Sequence, residues 1–279
     1  MGKARNTSLS GNQTLGGSQG GARPGIRLGT RLRGALAEAY QSRGHGKSTL
    51  WAAFSPKSGK DVVFRSSVEF GHFLLVESDP NIENVDYSPG TRIETYAGEG
   101  AATIVDAEVT LKSGAVVWRE VKNSEDVTHG SIGRANLQLL IQIKAAEGVS
   151  ARHELLTEKE IYACPQRIRN WMRILPWIAQ ARAWPLHEYA SRVAGLLRRQ
   201  TNVTLGEVLE LGDGANRALY AAALFKAMQS GSYASDLNEQ PLSLWSRFRL
   251  HGVQREQVST ASRPCHLNGA RVNHGHWPT

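Results

Sequence analysis

The chain has 279 residues, 41% hydrophobic and 21% charged, which fits a folded globular protein and excludes a collagen-like or largely disordered one. No apolar run is long enough to span a bilayer, and the first residues lack the apolar stretch of a secretory signal. The two cysteines, Cys164 and Cys265, lie far apart; this excludes a disulfide framework and a C-x-x-C zinc pair, so a reducing cytoplasm is the expected compartment.

The net charge of +8 is unevenly spread: residues 1–50 carry +7, residues 251–279 carry +2, and the middle carries −1. Basic arms around a neutral body suit a polyanion, and nucleic acid is the expected partner.

Residues 1–50 are expected to be a basic, largely disordered arm, rich in Gly, Ser, Asn and Arg, with a short helix over 31–41. Residues 42–60 read as a connector with Trp51 and Phe54 as anchors. The segment "GKST" within it resembles a phosphate-binding loop, but that motif needs a glycine where Gln41 stands and a strand where the pattern is helical. "DVVFRS" reads as a strand, and "SVEFGHFLLVES" as a helix capped by Ser66 or Ser67. "NIENVDYSP" and "TRIETYA" read as strands around a turn at Ser88-Pro89-Gly90. "ATIVDAEVTL" and "AVVWREVK" read as two strands joined at Lys112-Ser113-Gly114. A helix ending at Gly148 follows, then "HELLTEKEIY" as a strand and a helix start. This order predicts an α/β domain over 51–165. Residues 166–250 read as a mainly helical, winged-helix-like module with basic helix faces, and 251–279 as a disordered tail.

The residues that point to chemistry are Glu69, Asp106, Glu120 and Lys122. Side chains alternate along a strand, so Glu120 and Lys122 share a face. Asp106 follows the apolar "ATIV", where a lone carboxylate is costly unless it is paired or holds a cation. It meets Glu120 if the two strands pair, and Glu69 can join from the helix. Hard carboxylate oxygens in such a group suit Mg²⁺, with Mn²⁺ as a substitute; the backbone carbonyl of Val121 is a further candidate ligand. A bound metal polarises phosphate and acidifies water, and a neighbouring lysine orients that water. The pattern is that of the PD-(D/E)xK nucleases, whose restriction-endonuclease-like fold is a mixed sheet flanked by helices. Here Val105 stands where the motif has its proline.

The order of short motifs resembles the TnsA family, the transposon-end endonucleases of heteromeric transposases. These motifs are Ser66-Ser67-Val68-Glu69, Asp79-Pro80, Val105-Asp106-Ala107, Glu120-Val121-Lys122 and Thr157-Glu158-Lys159-Glu160-Ile161, preceded by "RGHGK" at 43–47. The resemblance covers about residues 40–165. It implies a Mg²⁺-dependent endonuclease, bacterial and nucleoid-associated, that nicks the 5′ strands at transposon ends in double-stranded DNA. It also implies a DDE transposase as partner and an AAA+ ATPase as regulator. The alternatives are a stand-alone phage or restriction-type nuclease of the same fold, and a catalytically inactive DNA-binding scaffold.

The remaining polar residues carry weaker expectations. Gln138 reads as solvated, and His129 as a loop residue within reach of DNA. His251, His266, His274 and His276 have no metal-ligand spacing. Arg167, Arg169, Arg173, Arg198 and Arg199 suit either a phosphate-facing surface or a solvated helix face. Trp171, Trp177 and Trp184 are expected in the core.

Overall fold

The structure is a computed structural model that describes residues 49–89, 92–96, 99–129 and 134–252. The basic arm with its expected helix at 31–41, the "RGHGK" segment and the tail from 253 lie outside the described residues.

The first element among the described residues is a β-hairpin, β1 (Trp51–Ser55) and β2 (Lys60–Phe64), whose turn carries Gly59 at φ 66. The left-handed backbone there explains the glycine. The expected connector is therefore half of a hairpin: "WAAFS" pairs residue for residue with "KDVVF". Trp51 and Phe54 do anchor it. Trp51 stacks flat on Phe70 at 4.3 Å, and the Arg182 guanidinium sits 4.7 Å above Phe54.

Helix α1 (Ser67–Ser78) starts where the sequence signals it. Ser66 is the N-cap and accepts from the Glu69 amide at 3.1 Å, while the Glu69 carboxylate accepts from the Arg65 amide at 2.9 Å and the Ser66 hydroxyl at 3.2 Å. This differs from a capping box in one partner: the Glu69 carboxylate takes the amide of Arg65, the residue before the cap, and not that of Ser66. At the other end Asp79 accepts from the Asn81 amide at 2.9 Å, which makes the Asp79-Pro80 turn.

A four-stranded mixed sheet follows, in the order β3 (Ile82–Asp86), β6 (Ala107–Leu111), β7 (Val116–Val121), β8 (Arg152–Leu156). The first two pairings are antiparallel and β7–β8 is parallel. The parallel pair needs a crossover, supplied by α2 (Ser124–His129) and α3 (Arg134–Gly148). Two expectations are corrected here. "NIENVDYSP" does not turn back onto "TRIETYA": β3 pairs with β6, and β4 (Arg92–Tyr96) pairs with β5 (Glu99–Thr103) in a separate ribbon. "ATIVDAEVTL" is not one strand but breaks at Ile104–Asp106, so Asp106 sits just ahead of β6. Neither pairing is encoded by local pattern, because register is decided by which face is buried.

Alternation along β7 assigns its faces. Val117 packs under Val76 of α1, and Val121 joins the cluster of Phe73, Leu74 and Leu75, while Trp118 packs against Ala145 and Ala146 of α3. Beyond the sheet come α4 (Glu158–Ile161), α5 (Pro165–Gln180), α6 (His187–Arg199), α7 (Leu205–Leu209) and α8 (Asn216–Gln229). A three-stranded sheet, β10 (Tyr233–Ser235), β11 (Arg247–Leu250) and β9 (Val203–Thr204), completes the described residues. The helices continue the core of the α/β part: Phe73 and Leu156 belong to the same apolar cluster as Ile174, Leu224 and Phe248. Of the three tryptophans expected inside, Trp171 is buried, but Trp177 and Trp184 are 38% and 59% exposed. They fall on the outer side of α5 and just beyond its end, although Trp177 keeps an edge contact with Phe225. No helix among the described residues is long and apolar enough to cross a membrane.

A buried polar knot links these parts. Glu77, fully buried at the end of α1, accepts from Ser55 Oγ at 2.5 Å, Tyr87 Oη at 3.4 Å and Gln229 Nε2 at 2.8 Å. Burial pushes its pKa up to about 7 against these donors. Lys57, held by the carbonyls of Asp79 and Ile82, is pulled down to about 8 by burial. Removing the carboxylate takes the acceptor from the buried Ser55 hydroxyl and the half-buried Tyr87 hydroxyl and leaves Gln229 only the Glu77 carbonyl, at 3.1 Å. Glu77→Ala is therefore expected to lower the unfolding free energy by about 2–4 kcal/mol, read as a lower urea midpoint, with Glu77→Gln losing less.

Candidate active site at the end of the central sheet

Asp106 and Glu120 come together because β6 and β7 pair with Ala107 opposite Arg119. That register puts the residue before β6 beside the end of β7. One Asp106 oxygen (Oδ2) accepts from the Val121 amide at 2.7 Å. Glu120, 3% exposed, receives Lys122 Nζ on Oε1 at 2.7 Å and Gln142 Nε2 on Oε2 at 2.9 Å. Glu120 and Lys122 share a face, as alternation requires.

The electrostatics report crowding. Burial, then the Glu120 charge, raise the Asp106 pKa from 3.8 to about 7; the Val121 hydrogen bond and Lys122 oppose this, and Glu69 adds to it. The Glu69 charge is thus felt at Asp106 even though its carboxylate is held at the start of α1. Burial alone would lower Lys122, but the hydrogen bond and charge of Glu120, with Asp106 and Asp126, outweigh it and hold its pKa above the usual lysine value. Lys122 is therefore an ammonium donor at neutral pH and not a base.

Of the four expected residues, the structure joins Asp106, Glu120 and Lys122, and holds Glu69 at the start of α1 on the Arg65 amide and the Ser66 hydroxyl. Among the described residues no three His, Cys, Asp or Glu side chains are grouped closely enough to hold a metal ion. The donor set nevertheless fits a divalent cation. Two hard carboxylates, the buried Glu120 and the half-buried Asp106 whose pKa the Glu120 charge helps to raise, stand at the sheet end, and a cation held by both would relieve their repulsion. The residues that would hold it are Asp106 and Glu120, with the Val121 carbonyl and a released Glu69 as the further expected ligands.

Surrounding elements fix this end of the sheet. Thr157 and Glu160 form the capping box of α4, and Glu158 accepts from the amide and hydroxyl of Ser124, just after Lys122. The Thr157–Ile161 motif is thus a clamp on the chain leaving β7, with Ile161 in the core. Tyr162 Oη donates to the Ser67 carbonyl at 3.1 Å, seating the first turn of α1 beneath it. A Cβ on Gly71 would lie 2.5 Å from that oxygen, so the close approach requires glycine.

Gln142 is the residue that sequence reasoning missed. Gln138, one turn earlier, is half-buried and has no such role, while Gln142 is completely buried against Glu120. The two lie on one face of α3, and only the sheet's position selects the second. His129 ends α2, and His251 lies exposed next to β11; His266, His274 and His276 lie outside the described residues. Arg173 donates to the Leu242 carbonyl at 2.9 Å and Arg167 is likewise partnered, while Arg169, Arg198 and Arg199 are exposed on helix faces. No protein-family model matches the chain, and no curated protein is significantly similar to it.

The raised Asp106 pKa has a defined consequence for the metal-free protein. Between about pH 4 and 7 the folded state binds this proton more tightly than the unfolded chain. Stability from this group is therefore lost as pH rises through that window. Asp106→Asn keeps an acceptor for the Val121 amide and removes the charge. It is expected to be more stable than wild type at pH 8, by on the order of 2–4 kcal/mol, with the gap closing toward pH 4 in thermal melts.

Proposed function

We propose that the chain is a Mg²⁺-dependent DNA endonuclease of PD-(D/E)xK type. The observation that carries the reading is the Asp106–Glu120 pair at the sheet end, Glu120 buried and Asp106 half-buried, with the ammonium of Lys122 on Glu120. The order of elements supports a restriction-endonuclease-like fold: a capped helix bearing Glu69, a mixed sheet, and a crossover helix after Lys122.

A bound Mg²⁺ would supply a positive charge for the scissile phosphate and a water of lowered pKa. Asp106 and Glu120 supply its anionic oxygens, and the Val121 hydrogen bond holds Asp106 in place. Lys122, kept protonated, donates to a phosphate oxygen or to the attacking water. Preorganised donors of this kind are worth about 10²–10³ in rate.

The finer reading is the endonuclease subunit of a heteromeric transposase that nicks the 5′ strands at transposon ends, with a DDE transposase and an AAA+ regulator as partners. It rests on the motif order and on the structural sense those motifs make: Ser66–Glu69 caps α1, Asp79-Pro80 ends it, and Thr157–Ile161 clamps the end of β7. We read the C-terminal helices and three-stranded sheet as a winged-helix-like module. However, α8, where such a module carries its groove-reading helix, is buried from Leu219 to Phe225. We therefore assign this module to packing and partner contact, and groove reading to the transposase.

Calorimetric titration of Mn²⁺ into the protein, alone and with a DNA duplex, tests the reading. Wild type is expected to bind, Asp106→Ala to lose binding, and Lys122→Ala to keep it while losing about 10²–10³ of Mn²⁺-dependent nicking. A wild type that binds no Mn²⁺ in either state overturns the metal-dependent reading and favours the inactive scaffold.

A further inference from the structure

We infer that His153 is a positioning residue for the candidate metal site, acting through Gln142 on Glu120 and on the chain that leads into Asp106. The inference rests on the metal-site reading above.

The Gln142 side chain, 0% exposed, has three hydrogen-bond partners among those the described residues show. Its Nε2 donates to Glu120 Oε2 at 2.9 Å and to the Ile104 carbonyl at 3.3 Å, and its Oε1 lies 3.1 Å from His153 Nε2. The Ile104 carbonyl belongs to the break that delivers Asp106. One amide therefore braces both halves of the carboxylate pair, the side chain of Glu120 and the backbone two residues before Asp106.

An amide can be turned over, and this one has a single productive orientation. With both amide hydrogens given to oxygen acceptors, the Gln142 oxygen requires a donor, so the structure assigns the proton of His153 to Nε2. Turning the amide over would set its oxygen against the Glu120 carboxylate, acceptor facing acceptor. The Nε2–H of His153 locks out that state. His153 is placed to do this by the parallel pairing of β7 and β8, which sets it opposite Trp118 on the α3 face. Burial lowers its pKa against the Glu120 and Glu154 charges, so the ring stays neutral at pH 7 and offers one defined donor.

Glu120 is thus fixed from both sides, by Lys122 on one oxygen and by the His153–Gln142 pair on the other. Groups one step behind metal ligands contribute about 10–100-fold to affinity when they set ligand orientation.

The test combines Mn²⁺ calorimetry on the full chain with imidazole ¹⁵N NMR. His153→Phe keeps a planar ring and removes the donor; His153→Gln keeps an N–H donor. Gln142→Leu and His153→Phe are expected to weaken Mn²⁺ binding by about 10-fold or more, and His153→Gln by no more than about threefold. In wild type, the His153 signals are expected to show the neutral Nε2–H tautomer, a bias lost in Gln142→Leu. A purely packing role for His153 would move neither the tautomer nor the difference between Phe and Gln. Equal losses in His153→Phe and His153→Gln, or an Nδ1–H tautomer in wild type, overturn the inference alone. A wild type with no Mn²⁺ affinity overturns the metal-site reading beneath it, and with it any role in metal affinity.

Discussion

The Val121 amide donates to the Asp106 carboxylate at 2.7 Å, and this bond fixes a negative charge beside Glu120 in a place where water is scarce. The amide stands at the end of β7, where antiparallel pairing with β6 stops and a backbone donor is left for a side chain. Asp106 takes it because the chain breaks between β5 and β6. The result is a carboxylate whose pKa is raised to about 7, set by backbone geometry and not by a flexible contact. Repulsion of this kind is unfavourable in the bare protein. It is the usual mark of a site built for a cation or a proton.

The rest of the molecule holds that strand end still. α1 packs on one face of the sheet through Phe73, Leu74, Leu75 and Val76, and its first turn is tied by the Ser66 cap and by Tyr162. α3 packs on the other through Ala145 and Ala146 and sends Gln142 to Glu120. Glu77 joins β1, α1 and α8 in one buried knot, so the helical module is bound to the α/β part by a polar node as well as an apolar core. Glu69 has two uses in this arrangement: it holds the Arg65 amide at the start of α1, and its charge reaches Asp106. Recruiting it as a metal ligand means giving up the Arg65 amide and the Ser66 hydroxyl, while the Ser66 cap on the Glu69 amide can stay.

The local signals in the sequence proved informative. The Ser66 cap, the apolar run of α1, the Lys112-Ser113-Gly114 turn and the helix ending at Gly148 all follow from neighbouring residues, and each is present. The pairing of Asp106 with Glu120 was legible because a hairpin with a known turn fixes its own register. What failed depends on distant partners. "WAAFS" looked like connector because its pairing strand, not its own pattern, makes it β1. β3 chose β6 over β4 because Val76 buries against Val85 and Val109 across that pair. Trp177 and Trp184, expected in the core, are carried by the exposed side of α5 and the loop beyond it. Gln142 could not be told from Gln138 without the sheet beneath them.

The most direct test of the central claim is a crystal of the protein grown with Mn²⁺ and a DNA duplex, measured at an energy where Mn²⁺ scatters anomalously. The expected result is an anomalous peak held by the carboxylates of Asp106 and Glu120, the hard oxygen ligands such a cation would take. A peak held by other residues, or no peak between these two carboxylates, would contradict the assignment of this strand end as a metal-dependent active site.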